Sequence, residues 1–141
     1  VWNNADGLNP DGCRNVVFED LLIHAGDDCV AVKSMDPELS ASDITVRRCV
    51  LWTPVAALKV GTESRGESMS GLQFEQIHIA RCGRALALDI FDRALASGIT
   101  FRDISVGRAD QGLLFRAGRR EAAQQASGSL DRVFVENIQF L

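Results

Sequence analysis

The apolar positions of this chain recur with a long period. The octet Val16-Val17-Phe18-Glu19-Asp20-Leu21-Leu22-Ile23 aligns with octets starting at Ile44, Leu72 and Ile99, so the pattern returns about every 28 residues. A fifth copy starts at Val133, after a longer insertion. In each copy the first, third, sixth and eighth positions are apolar, while the fourth and fifth are mostly polar. Period-2 alternation with a bend in its middle predicts strand, not helix. A second apolar run keeps the same period: Val30-Ala31-Val32, Leu58-Lys59-Val60, Leu86-Ala87-Leu88 and Leu113-Leu114-Phe115. Each repeat therefore supplies at least two short strands, separated by turns such as Met35-Asp36-Pro37 and Ser97-Gly98.

A unit this small cannot bury its apolar face alone, so the copies must stack. At the strand spacing of about 4.8 Å, Phe18, Val46, Phe74, Phe101 and Val135 fall into one interior column. Leu21, Cys49, Ile77, Ile104 and Ile138 fall into another. The expected architecture is all-β: a right-handed parallel β-helix of about five to six coils. A leucine-rich repeat fits poorly, because the repeats carry β-branched pairs and no amphipathic helix. Residues 1–141 read as a single domain, expected to be truncated at both ends, since the sequence opens on Val1-Trp2-Asn3 and ends within or just after a strand pattern.

The formal charge of −4 gives no electrostatic case for nucleic acid or anionic lipid. No apolar run is long enough to span a bilayer as a helix. The four cysteines, Cys13, Cys29, Cys49 and Cys82, lack metal-ligand spacing, and no metal or other cofactor is implied. Cys49 occupies an apolar column and reads as a buried thiol. His24 and His78 sit at ordinary strand positions.

Chemistry concentrates in three carboxylates. Asp27 and Asp28 precede the strand Val30-Ala31-Val32, and Asp6 lies one coil earlier. Aspartates before strands are usually turn formers. Three of them on adjacent coils can instead share one face, where crowding splits their proton affinities into an acid and its bases. An inverting glycosidase places such groups about 6.5 to 9.5 Å apart, leaving room for water.

The stretch Asn4-Ala5-Asp6-Gly7-Leu8-Asn9-Pro10-Asp11-Gly12-Cys13-Arg14-Asn15-Val16 resembles the N-T-D-G-(I/F)-D-P-D-S-C-R-N-V segment of glycoside hydrolase family 28, the polygalacturonase-like enzymes. Gly26-Asp27-Asp28-Cys29-Val30-Ala31-Val32-Lys33-Ser34 is similar to that family's G-D-D-C-I-A-I-(K/N)-S. The resemblance implies a pectin-lyase-type solenoid, a polysaccharide or oligosaccharide substrate, a monomer, and a secreted or periplasmic location. It implies Asp6, Asp27 and Asp28 as the catalytic acids, with Asp27 the general acid and Asp6 and Asp28 activating water. It also implies Asn4 as a site position, and a disulfide between Cys29 and Cys49 as the alternative to free thiols.

Two departures bear on the substrate. Ala56 stands nearest the histidine of the family's G-H-G motif, and Ala87-Leu88-Asp89 stands where R-I-K holds a substrate carboxylate. A free Asp89 would repel galacturonate, so the expected substrate is a neutral or less acidic glycan, contacted by Asn4, Lys59, Glu63, Asp89 and Asp92. A dextranase-like glucan hydrolase and a non-catalytic glycan-binding β-helix are the alternatives. A lyase or epimerase would need a basic residue to stabilise an enolate-like charge, and this cluster is acidic.

Overall fold

In the computed structural model, residues 3–120 and 126–141 are described. The structure is all-β: β1 (Arg14–Glu19), β2 (Leu22–His24), β3 (Val30–Ser34), β4 (Ala41–Trp52), β5 (Ala56–Ser64), β6 (Ser68–Ile90), β7 (Leu95–Val106), β8 (Ala109–Ala117) and β9 (Ser129–Phe140). All pairings between these strands are parallel. They form a right-handed parallel β-helix of about four turns. One face stacks β1 and β2, then β4, β6, β7 and β9. The other stacks β3, β5, the second half of β6, and β8. The first coil joins this second face through two isolated bridges, Leu8 to Val30 and Asp11 to Lys33.

The repeat sets the register. Val46, Phe74, Phe101 and Val135 are direct partners, as are Cys49, Ile77, Ile104 and Ile138. Val32, Val60, Leu88 and Phe115 make the matching column on the second face. The longer spacing before the fifth copy leaves the ladder intact, because β9 pairs with β7 in the register its apolar pattern requires. Val46, Phe74 and Phe101 are fully buried. The Phe74 and Phe101 rings stack with centroids 5.0 Å apart and planes 13° from parallel, an arrangement that adds to the burial of two large apolar side chains.

The bend read from the fourth and fifth positions has a backbone cause. Asp20, Arg48, Gln76, Asp103 and Asn137, the fifth residue of each copy, all have positive φ, between 50° and 58°. A second left-handed column runs through Asn15, Asp43, Gly71, Gly98 and Arg132. Asn, Asp and Gly enter this region most readily, and repeating it at one register position lets every coil turn its corner at the same height. β6 joins two expected strands into one, because Cys82-Gly83-Arg84 carries the extended chain from one face to the other without a break.

Candidate active site

The second face ends, at the N-terminal mouths of its strands, in the acidic cluster. Asp6 lies beside Asp28 on the adjacent coil: Gly7 N–H donates to the Asp28 carbonyl at 2.9 Å, and Asp28 N–H donates to Asp6 Oδ1 at 3.3 Å. The approach requires glycine at position 7, where a Cβ would stand 2.5 Å from Ile23 Cγ2 and 2.6 Å from the Cys29 carbonyl oxygen. The turn between β2 and β3 is pinned on both sides. Gly26 and Asp27 N–H groups donate to the Ala5 carbonyl at 3.0 and 3.2 Å, and the Thr53 hydroxyl of the next coil donates to the Asp27 carbonyl.

This scaffold brings Asp6, Asp27 and Asp28 together, with one oxygen from each within 4.8 Å of the others. The cluster is tighter than the separation of about 6.5 to 9.5 Å expected of an inverting pair. The reason is register: neighbours across a parallel ladder sit only about 4.8 Å apart, and Asp27 is the residue next to Asp28. Separation by itself therefore does not assign the stereochemistry.

The three acids have different surroundings. Asp28 is buried; its Oδ1 accepts the Ala56 N–H at 3.1 Å and its Oδ2 accepts Lys59 Nζ at 2.7 Å. Asp6 is part-buried, and its Oδ2 accepts Asn9 Nδ2 at 2.8 Å and Lys33 Nζ at 3.2 Å. Burial pushes the Asp6 carboxyl up, but hydrogen bonds from Asn9 and Lys33, the Lys33 charge and the Asp28 N–H outweigh it and hold Asp6 below the usual aspartate range. Asp27 accepts the Asn4 backbone N–H at 3.1 Å, and among the described residues no cation pairs with it. Three clustered carboxylates are a general route to cation binding, but here two ammonium groups already supply counter-charge, and the cluster assigns no ion.

The other predicted contacts are dispersed. Lys59 reaches Asp28 and has a side chain only 13% exposed. Glu63 stands between Lys33 at 3.9 Å and Arg120 at 3.8 Å. Asp89 is not a free anion: its side chain is 3% exposed and pairs with Arg116 at 2.8 Å and Arg84 at 3.5 Å. Arg116 also lies 5.1 Å above the Phe91 ring. Asp92 accepts the Ser64 N–H at 2.9 Å and pairs with Arg120 at 3.3 Å. The repulsion expected of Asp89 is therefore neutralised. Asn4 is exposed beside the acids. Cys29 and Cys49 are buried free thiols; burial pushes Cys29 up to about 11, despite hydrogen bonds between its sulfur and the neighbouring backbone.

Residue-by-residue reading missed Lys33, Asn9, Arg84, Arg116 and Arg120. Lys33 and Asn9 lie inside the quoted motifs, but register pairs Lys33 with Asp11, and it meets Asp6 only through the reach of its side chain. The arginines give none, because their partners become neighbours only through register.

The chain is 40% identical over 70 residues to a protein named "Probable polygalacturonase" from Vitis vinifera, a match covering 45% of this chain and 14% of that one. No protein-family profile and no solved structure matches. The chain is a parallel β-helix with a stretch similar to part of that protein, and the match spans about one seventh of the relative's length.

Proposed function

We propose that this chain carries the catalytic face of a glycoside hydrolase of family 28 type, cleaving glycosidic bonds in a plant-type or microbial polysaccharide with inversion. The observation that carries the reading is the convergence of Asp6, Asp27 and Asp28. All four oxygens of Asp6 and Asp28 accept hydrogen bonds, which suits the pair to polarising a water rather than bonding to the sugar. Asp27, flanked by two carboxylates and paired with no lysine, is the general acid that protonates the leaving oxygen. Water adds to the anomeric carbon from the opposite face, the glycosidic C–O bond breaks, and the Asp6–Asp28 pair takes the water's proton.

The preference for a neutral or less acidic glycan rests on Ala56 and Ala87, which stand where the resembling motifs carry a histidine and an arginine and supply no cation there. Asp89 no longer contributes to it. Arg84 and Arg116 favour a second reading, in which their guanidinium groups bind an acidic sugar. Reducing-end release on a panel that includes dextran, neutral pectic glycans and polygalacturonate separates the two, with the anomer of the first product read by proton NMR. Release of the inverted anomer from a neutral glycan supports the proposal. Cleavage of polygalacturonate alone would transfer the substrate reading to the arginines, and the retained anomer would reject inversion. Binding without cleavage by the wild type, Asp27→Asn and Asp28→Asn would reject the hydrolase.

A further inference from the structure

The residues around Asp6 form a line of alternating charge that crosses the coils of the helix. Lys33 Nζ lies 3.2 Å from Asp6 Oδ2 and 3.9 Å from Glu63 Oε2. Glu63 Oε1 lies 3.8 Å from Arg120, which pairs with Asp92 at 3.3 Å. Glu63, expected at the substrate, is thus linked to the acid cluster through Lys33, and Asp92 joins the line through Arg120. Lys33, whose side chain is 17% exposed, hydrogen-bonds Asp6 and stands at ion-pair distance from Glu63.

We propose that Lys33 is a positioning residue, divided between Asp6 and Glu63, and that Glu63 tunes how strongly Lys33 holds Asp6 as the base. This rests on the hydrolase reading for its consequence in turnover, although the electrostatic link is defined without any substrate. An ammonium beside a carboxylate favours its ionised form, and an opposing carboxylate on the same ammonium weakens that effect. The charged groups at Asp6 are Asp27 and Asp28 from the β2–β3 turn and Lys33 from β3; one contact further, Lys59 from β5 pairs with Asp28 and Glu63 from β5 with Lys33, and Asn9 donates to Asp6. The downward shift of Asp6, in which Lys33 acts through both its hydrogen bond and its charge, agrees with this arrangement.

The two flanking residues should move the same titration in opposite directions, which loss of packing would not do. The test is a carbon-13 carboxyl NMR titration of the protein labelled at aspartate, with the Asp6 signal assigned by its loss in Asp6→Asn. Lys33→Met should shift the Asp6 midpoint to higher pH, Lys33→Arg should restore it, and Glu63→Gln should shift it to lower pH. An unmoved midpoint in Lys33→Met, or a shift to higher pH in Glu63→Gln, overturns the proposal. Glu63→Gln, at a part-exposed side chain, keeps the test decisive if Lys33→Met does not fold. On any glycan the protein cleaves, the acid limb of kcat/KM should follow the same order. Opposite NMR shifts with no glycan cleaved would uphold the link and reject the hydrolase, whereas cleavage without the shifts would do the reverse.

Discussion

The carboxylates at 6, 27 and 28 and those at 89 and 92 belong to the same solenoid face, and the difference between them lies in counter-charge. Asp89 is shared by two guanidinium groups and Asp92 is held by Arg120 and the Ser64 N–H. In the first cluster three carboxylates meet two lysines, and Asp27 is the one that no cation pairs with among the described residues. Where cations match an aspartate it is a brace, and under the proposed function it does chemistry where they fall one short.

The largest break in that comparison is Asp27→Asn. It should lower kcat by about 10² to 10⁴, the usual contribution of general acid–base catalysis, while leaving the melting temperature close to wild type. Asp89→Asn should do the opposite: a far smaller change in turnover, but a stability loss of about 1 to 3 kcal/mol, the range for breaking a buried charged hydrogen bond whose arginine partners can still reach water. Thermal melts and kcat/KM on the same preparations check both.

Lys59→Met comes next. It leaves the buried Asp28 carboxylate with only the Ala56 N–H, and a buried charge stripped of its partner costs roughly 3 kcal/mol. Lys59→Arg should recover most of the loss in a denaturant titration.

A smaller effect concerns acid. Because the folded pKa of Asp6 is depressed, its stabilising contribution is fully present above the ordinary aspartate value of 3.8 and is lost as pH falls through the lower folded value. The stability difference between wild type and Asp6→Asn should therefore shrink as the pH drops below about 4, measured by urea unfolding across that window. Least of all, Arg47→Ala on the opposite face, where Arg47 pairs with the exposed Glu19, should leave the melt almost unchanged, as solvent-exposed pairs usually do.

The fold was legible in the sequence because register in a solenoid is carried by period. A spacing of about 28 residues places Val46, Phe74 and Phe101 in one column, and each is found there. The meeting of Asp6 with Asp28 needs a shorter first coil than that period, because Leu8 pairs with Val30 and the two acids stand 22 residues apart. What the repeat did not disclose was charge pairing. Arg84 and Asp89 lie near each other on one strand, and Arg116 comes from the next coil. Whether such groups meet depends on side-chain reach over a curved surface, which a pattern of apolar positions does not encode. The spacing of the acids was misjudged for a related reason, since ladder neighbours crowd closer than a substrate-spanning pair.

Under the proposed function Asp6, Asp27 and Asp28 form one acid–base site, and reducing-end release from the glycan panel by wild type, Asp27→Asn and Asp89→Asn is the decisive measurement. Release by the wild type and by Asp89→Asn, with loss of roughly two or more orders of magnitude in Asp27→Asn, is the predicted result. Equal turnover by all three proteins, or none from a wild type that still binds the glycan, would contradict it.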